Sequence, residues 1–458
     1  MPSCPQETYV SGTYDGSVVS PYFDIATKYG FANYFFQTNQ GPSMPAHLFL
    51  FSGTSSPTGL QPQKGALNFF QAENPPGGVN NDDDDTACTA PAGQTVALID
   101  QSGLEIHDKN NPLYPEYNIF PCFSHNTLPT LLDAASPSVT WKYYTNQPKP
   151  TSTNNIWNAP AAIQEICYPL TPPNLPNGAQ CGGYDYVNDV VVNNIAQILL
   201  DLGTVSKDGC ALRNVSWVVP NGDRSDHPGF AKGQNNSTQI EGGPGWVADI
   251  INAVGQGPCT DTVNSQAVPY WQDTAIFVVW DDWGGFWDHI SPYEVLIQDP
   301  AINKFCDPTL TFGCGYISGF RVPFLVVSAY TGTYNQNNGT YSGYVSGACG
   351  QSPLPPCPNE AFPYKHDFGS ILAFIENNFL GSTAIGSINA QNNYKFADAF
   401  APDYRAQPLN IPLADFFPLS TPRPFQAIAL PPGAPHANYF INYNGPILDP
   451  DNDGIDND

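Results

Sequence analysis

The chain has 458 residues, 41% hydrophobic and only 12% charged, enough to bury a sizeable core and too apolar for a disordered segment. Its 15 Lys+Arg stand against 41 Asp+Glu, a formal net charge of −26, which argues against nucleic acid and against anionic membranes as partners. No apolar run is long enough to cross a bilayer, so stable membrane insertion is not expected, and 47 Pro and 40 Gly indicate long ordered loops on a regular frame.

Residues 1–19 are polar and turn-like and lack the basic start and apolar centre of a signal peptide. Ser20-Pro21 predicts a helix start, with Ser as cap and Pro in the first turn, running to a stop at Gly30. Phe31 to Phe36 reads as a strand, and a Gly-Pro turn then leads into a helix near Met44 to Phe51. Ser43 therefore stands where backbone N–H groups and the positive end of the helix dipole gather, a place suited to an anion. Its plainer role is to cap that helix. Residues 55–180 are rich in loops and read as a cover inserted over the core. Within them, Thr95 to Asp100 and Val139 to Tyr144 are candidate strands and Leu128 to Ala135 a short helix. Asn80 to Asp85, NNDDDD, is a solvated acidic loop or a surface calcium site.

Val187 to Leu202 has apolar residues at helical spacing and stops at Gly203. Val215 to Val219 is a buried strand followed by PNGDRSDHPG, and Pro244 to Val254 is an amphipathic helix. Ala275 to Trp280 is an unbroken apolar strand that delivers Asp281, Asp282, a Gly pair and Asp288-His289. Phe324 to Tyr330 is another apolar strand, and Asp367 to Leu380 a helix. Helices alternating with buried strands predict an α/β fold with a mostly parallel central sheet and helices on both faces. Residues 1–425 read as one catalytic domain and 426–458 as a Pro-rich, acidic tail. Its final stretch, ILDPDNDGIDND, carries a D-x-D-x-D-G that would hold calcium only weakly.

Eleven Cys are present without a CxxC or a zinc spacing. Cys167 and Cys181, Cys306 and Cys314, and Cys349 and Cys357 lie close together in polar loops. Disulfides of a secreted or periplasmic protein are the expectation.

Three loops carry reactive side chains: Ser43 and His47, Asp226 and His227, and Asp281, Asp282 and His289. If their strands share one sheet, all three open on one edge. Adjacent carboxylates repel unless a cation or shared proton neutralises them, which points to Asp281 and Asp282 as ligands of one divalent metal ion. With so few cationic side chains, a metal would also supply the positive charge that an anionic substrate requires. A hydroxyl nucleophile beside such a metal is equipment for displacement at phosphorus, with His227 or His289 as proton donor. His47, Asp226 and His366 are the candidates for substrate contact. Each also has a structural explanation: a helix residue, a loop residue and a group bonded to backbone.

FFQTNQGPSMPAHLFLFSGTS, WVVPNGDRSDHPGF, GPGWVADIINAVG, TAIFVVWDDWGGFWDHISP, FRVPFLVVSAYT and DFGSILAFIENNFLG occur in this order. Together they resemble the bacterial phosphoesterase family of nonspecific phospholipases C and acid phosphatases, within the alkaline phosphatase superfamily. The resemblance covers roughly residues 20–380. It implies a three-layer α/β/α sandwich, Ser43 as the Ser or Thr nucleophile after Gly-Pro, Asp281 and Asp282 as the acidic metal pair, and His227 and His289 as active-site histidines. The family's opening strand, which ends in a metal-binding Glu-Asn pair, has no counterpart before Ser20. The chain is therefore expected to begin inside the family's domain, with a strand missing and the metal held only by Asp281, Asp282 and Ser43. The expected function is hydrolysis of a phosphomonoester or a phospholipid head-group diester through a phosphoserine at Ser43, with no protein partner evident. Two alternatives stand beside it. One is a sulfatase-like hydrolase, although His47 occupies the place of Arg in the S/C-x-P-x-R signature. The other is a degenerate exported protein that binds calcium or carbohydrate.

Overall fold

The computed structural model describes residues 19–39, 41–55, 69–71, 87–90, 94–100, 118–124, 126–145, 156–170, 180–192, 196–204, 209–220, 224–226, 243–284, 288, 290, 292, 298–299, 304–305, 318–346, 366–381 and 413–430. The site rests on helices α1 (Ser20–Lys28), α2 (Ser43–Ser52), α3 (Leu128–Ala134), α4 (Gln197–Asp201), α5 (Gly243–Gln256) and α6 (Phe368–Phe379). The strands are β1 (Gly30–Ala32), β2 (Phe35–Phe36), β3 (Trp141–Tyr144), β4 (Val190–Val191), β5 (Val215–Val218), β6 (Ala275–Val279), β7 (Phe324–Ser328), β8 (Tyr344–Ser346) and β9 (His366–Asp367).

The strands form two main sheets rather than one. The first has the order β6-β7-β1-β8, antiparallel across β6–β7 and β7–β1 and parallel across β1–β8. The second, β5-β3-β4, is parallel throughout. A short parallel pair joins β2 to β9. Among the described residues the strands thus form several small sheets, of which one mixed and one parallel lie beside the site, and a single, mostly parallel sheet is not seen. An apolar run marks a strand as buried but does not encode the direction of its distant partner.

Strand β7 is buried at every position. Phe324 and Val326 enter one core with Phe35, Leu48 and Leu372, whereas Leu325 and Val327 enter a second with Ile25, Ala248 and Trp271. Side-chain alternation along the strand thus places α2 and α6 on one face and α1 and α5 on the other. Phe35 stacks on Phe324 with ring centroids 3.9 Å apart.

Several boundaries differ from expectation. In α1 the cap position falls on Val19, without a side-chain cap bond, and Ser20 is already helical. The strand read over residues 31–36 breaks at Asn33-Tyr34 into β1 and β2. The single helix read over 187–202 is absent: Tyr184–Asp189 is helical, Val190–Val191 pairs with β3, and the helix resumes as α4. A run of three valines is stiff at χ1 and suits a strand, and β3 supplies the partner that helical spacing could not reveal. Strand β3 lies within the stretch read as cover, yet it is the middle strand of the second sheet.

Cys167 is bonded to Cys181, as their proximity suggested, and Cys88–Cys122 and Cys210–Cys259 are two further disulfides. The other paired-looking cysteines, the acidic loop at 80–85 and the acidic tail lie outside the described residues. Among the described residues, no helix is long and apolar enough to cross a membrane.

Candidate active site

Ser43 opens α2 directly after the Gly41-Pro42 turn. Gln37 and Asn39 donate their side-chain amides to the Gly41 carbonyl at 2.7 and 3.0 Å, which holds that turn. Across the β2–β9 pair, the Phe368 N–H donates to Thr38 Oγ1 at 3.0 Å and ties the same segment to α6. The cap position is Pro42 and no side chain caps this helix end, so the Ser43 hydroxyl is not used as a cap. Instead Ser43 Oγ donates to Asp282 Oδ2 at 3.3 Å. The residue is 2% exposed. Nearly the whole of α2 is buried, and Gly53, at φ +72°, closes it in the left-handed conformation that favours glycine.

One helical turn on, His47 Nε2 lies 3.3 Å from Asp281 Oδ2. Its Nδ1 is 3.4 Å from the Tyr143 hydroxyl. That hydroxyl has a single proton and donates it to the Trp157 carbonyl at 2.6 Å, so towards His47 it acts as acceptor. The proton therefore sits on Nδ1. If Nε2 is also protonated, the ring pairs with Asp281; if not, Nε2 presents a lone pair. Burial pushes the Asp281 carboxyl up, but the hydrogen bond and charge of His47, aided by the Ser43 hydroxyl, outweigh it and hold Asp281 below the ordinary carboxylate range. Asp282 Oδ1 accepts the Gly284 N–H at 2.6 Å, which fixes the turn at the end of β6.

The structure therefore brings together Ser43, His47, Asp281 and Asp282. Asp226 lines the same cavity but is occupied structurally. It accepts the Tyr22 hydroxyl at 2.6 Å and a backbone hydrogen bond from Gly243 at the start of α5, and burial raises its pKa. A Cβ at Gly243 would come within 2.4 Å of the Asp226 carboxylate, so this close approach needs glycine. His366 does not line the cavity. It is fully buried, and its Nε2 meets Ser346 Oγ at 2.9 Å and Asp415 Oδ2 at 3.3 Å. His227 and His289 lie outside the described residues. Asp288, next to His289, is held by Arg321 in a two-pronged ion pair at 2.5 and 2.8 Å. Arg321 also donates to the Asn33 carbonyl at 2.9 Å.

Tyr143 and Arg321 stand beside the candidate site, and the sequence reading pointed to neither. Nothing local marks Tyr143. Arg321 carried a usable signal, as one of only 15 Lys+Arg in an acidic chain.

Beside these groups opens a cavity of about 910 Å³, whose lining includes His47, Asp281, Asp282, Trp283 and Arg321. Two carboxylates, a hydroxyl and an imidazole nitrogen are donors of the kind a hard or borderline divalent ion takes. Among the described residues, no three His, Cys, Asp or Glu side chains converge as a finished cage. The donor set fits a metal in kind and is incomplete in number.

A serine at a helix start thus faces paired carboxylates at the end of an apolar strand, in an α/β protein. The chain belongs to the phosphoesterase family, whose pattern matches residues 4–380. It is 26% identical over 291 residues to the non-hemolytic phospholipase C of Pseudomonas aeruginosa, which covers 61% of this chain and 29% of that protein. It is 26% identical over 246 residues to phospholipase C B of Mycobacterium tuberculosis, covering 51% of this chain and 39% of that protein. The chain thus spans less than two fifths of the length of these relatives.

Proposed function

We propose that this protein hydrolyses phosphoric esters with Ser43 as nucleophile. The observation that carries the reading is the position of Ser43 Oγ, at the start of α2 and 3.3 Å from Asp282, with the His47–Asp281 pair one turn along. A divalent ion held by Asp281, Asp282 and Ser43 would supply positive charge to the nonbridging oxygens and acidify the hydroxyl. Ser43 Oγ then bonds to phosphorus as the ester P–O bond breaks, and the Ser43 proton passes to solvent water, from which the histidine that protonates the leaving oxygen later regains its own. The leaving oxygen takes a proton from His227 or His289. Water cleaves the resulting phosphoserine and restores the hydroxyl. The start of α2 directs backbone N–H groups at the transferring group.

The relatives named as phospholipases C support a lipid head-group diester as substrate, with phosphomonoesters as the other member of the class. Family membership, and helices on both faces of β7, support a three-layer α/β/α sandwich of the alkaline phosphatase kind. Three disulfides among the described residues support export to an oxidising compartment.

The test is turnover of nitrophenyl phosphate and nitrophenyl phosphocholine by wild type, Ser43→Ala and Asp281→Asn. Both variants are expected to lose at least about 10³-fold in kcat, and intact-mass analysis of quenched wild type should find one added phosphoryl group on the peptide containing Ser43. Turnover retained in Ser43→Ala, or phosphate on another residue, removes the mechanism.

A further inference from the structure

Arg321 sits where two segments of the candidate site meet. Its own stretch of backbone runs beside the segment that leads into Ser43. The Gly319 N–H donates to the Gln37 carbonyl at 2.8 Å, the Gln37 N–H to the Phe320 carbonyl at 3.0 Å, and the Val322 N–H to the Phe35 carbonyl at 3.0 Å. Phe36 and Arg321 form an antiparallel bridge in the same stretch. The Arg321 side chain reaches the loop after β6. Its Nε and Nη2 hold both oxygens of Asp288 at 2.5 and 2.8 Å, and its Nη1 donates to the Asn33 carbonyl at 2.9 Å. The guanidinium also lies over the Tyr34 ring, 5.4 Å from its centre. The two side chains of the pair are only 18% and 14% exposed, so solvent ions screen it little. Asp288 Oδ1 accepts the Ile290 N–H as well, at 3.2 Å, so one carboxylate ties together the residues on either side of His289. Near the start of the same loop, the Trp283 ring packs on Phe320 with centroids 5.2 Å apart. The loop is thus fastened to residues 319–322 at both of its ends.

We propose that Arg321 is a positioning residue: by clamping Asp288 it holds His289 at a fixed distance from Ser43, and His289 rather than His227 gives its proton to the leaving oxygen as the ester P–O bond breaks. This rests on the hydrolase reading above. Displacement at phosphorus sets nucleophile and leaving oxygen roughly in line, and a misplacement of about 1 Å can cost about 10²-fold in rate. The donor must therefore be referenced to the nucleophile. Asp226, next to His227, is tied instead to Tyr22 of α1 and Gly243 of α5, helices that pack on the second core. The Asp288 turn is tied, through Arg321, to the segment that delivers Ser43. Two parallel N–H bonds from a planar fork fix both the distance and the plane of a carboxylate, which a lysine ammonium cannot do.

The test compares two substrates whose leaving groups differ in their need for a proton. Nitrophenolate departs from nitrophenyl phosphate unaided, whereas the more basic phenolate of phenyl phosphate requires one. Wild type, Arg321→Met, Asp288→Asn and the double variant are assayed as the whole chain. Arg321→Met is expected to lose at least about 10²-fold in kcat on phenyl phosphate and less than about tenfold on nitrophenyl phosphate, with little change in KM. Asp288→Asn should behave alike, and the double variant should be no worse than either single one. Arg321→Lys, which keeps the charge without the fork, should recover only part of the loss. Equal losses on the two substrates overturn the proposal, because a residue that merely supports the fold slows both alike. Losses that multiply in the double variant also overturn it, because Arg321 would then not act through Asp288. A wild type that turns over neither substrate fails the hydrolase reading instead, and hydrogen exchange then judges the clamp by itself. The Ile290 amide should exchange at least about tenfold faster in Arg321→Met, while the Val322 amide stays protected and shows an intact fold. Ile290 exchange equal to that of wild type refutes the clamp, whether or not the protein is active.

Discussion

Tyr143 stands behind His47 with its only proton committed to Trp157, so it keeps a proton on His47 Nδ1 while Nε2 faces Asp281. Removing the hydroxyl leaves the ring in place but frees its tautomer. Tyr143→Phe is predicted to lower kcat about tenfold with little change in KM, a size typical of a positioning contact. Nitrogen NMR of His47 should shift towards a mixture of tautomers in the variant. An unchanged spectrum together with unchanged kcat would remove Tyr143 from the site. At this scale the sequence was legible where the chemistry is local. Gly-Pro-Ser before a helix and adjacent aspartates after a strand announce themselves, and the structure brings Ser43 within 3.3 Å of Asp282. Tyr143 is 96 residues from His47 along the chain, and no local pattern records that approach. His366 shows the converse, a histidine legible as a candidate that instead serves a buried bond to Ser346 and Asp415.

Helix α5 contains a carboxylate that nothing in the site uses. Asp249 is 1% exposed, its Oδ2 has no hydrogen-bond partner among the described residues, and burial pushes its pKa up to about 7. In the unfolded chain it titrates near the ordinary value of about 4. Below that pH both states hold the proton and no penalty exists. Between about 4 and 7 only the unfolded chain gives it up, so stability falls as pH rises, and above 7 the loss is constant. Asp249→Asn should therefore be more stable than wild type at pH 8, by about 1–3 kcal/mol, and nearly equal to it at pH 4. Denaturation with urea at both pH values checks this; parallel stability curves for the two proteins would refute it. Elements with strong periodicity and clear ends, such as α5, β6 and α6, were readable from sequence within a few residues. The failures were relational. Val190–Val191 became a strand because β3 offers it an edge, and β6 met β7 head to tail because of where β7 lies in the folded molecule.

Across the whole molecule, covalent ties complement packing. Cys210–Cys259 closes a loop of sequence separation 49, fastening the segment after α4 to the end of α5. Chain-entropy arguments give such a loop about 4 kcal/mol. The double variant Cys210→Ser/Cys259→Ser is predicted to unfold at lower temperature and to lose about 2–4 kcal/mol in urea. A midpoint equal to that of wild type would mean that packing alone holds this corner. The sequence could mark close cysteines as partners, as with Cys167–Cys181. It had no means to pair cysteines brought together only by the arrangement of α4 and α5.

The bond between Thr38 and Phe368 spans 330 residues, and it secures the turn that aims Ser43. A ribosome will have released the serine and both aspartates long before it makes the helix that clamps them. A nascent chain stopped at residue 365 would carry every reactive group described for the site and still hold its serine loosely. The order of synthesis therefore delivers the reactive groups first and the clamp that orients them last.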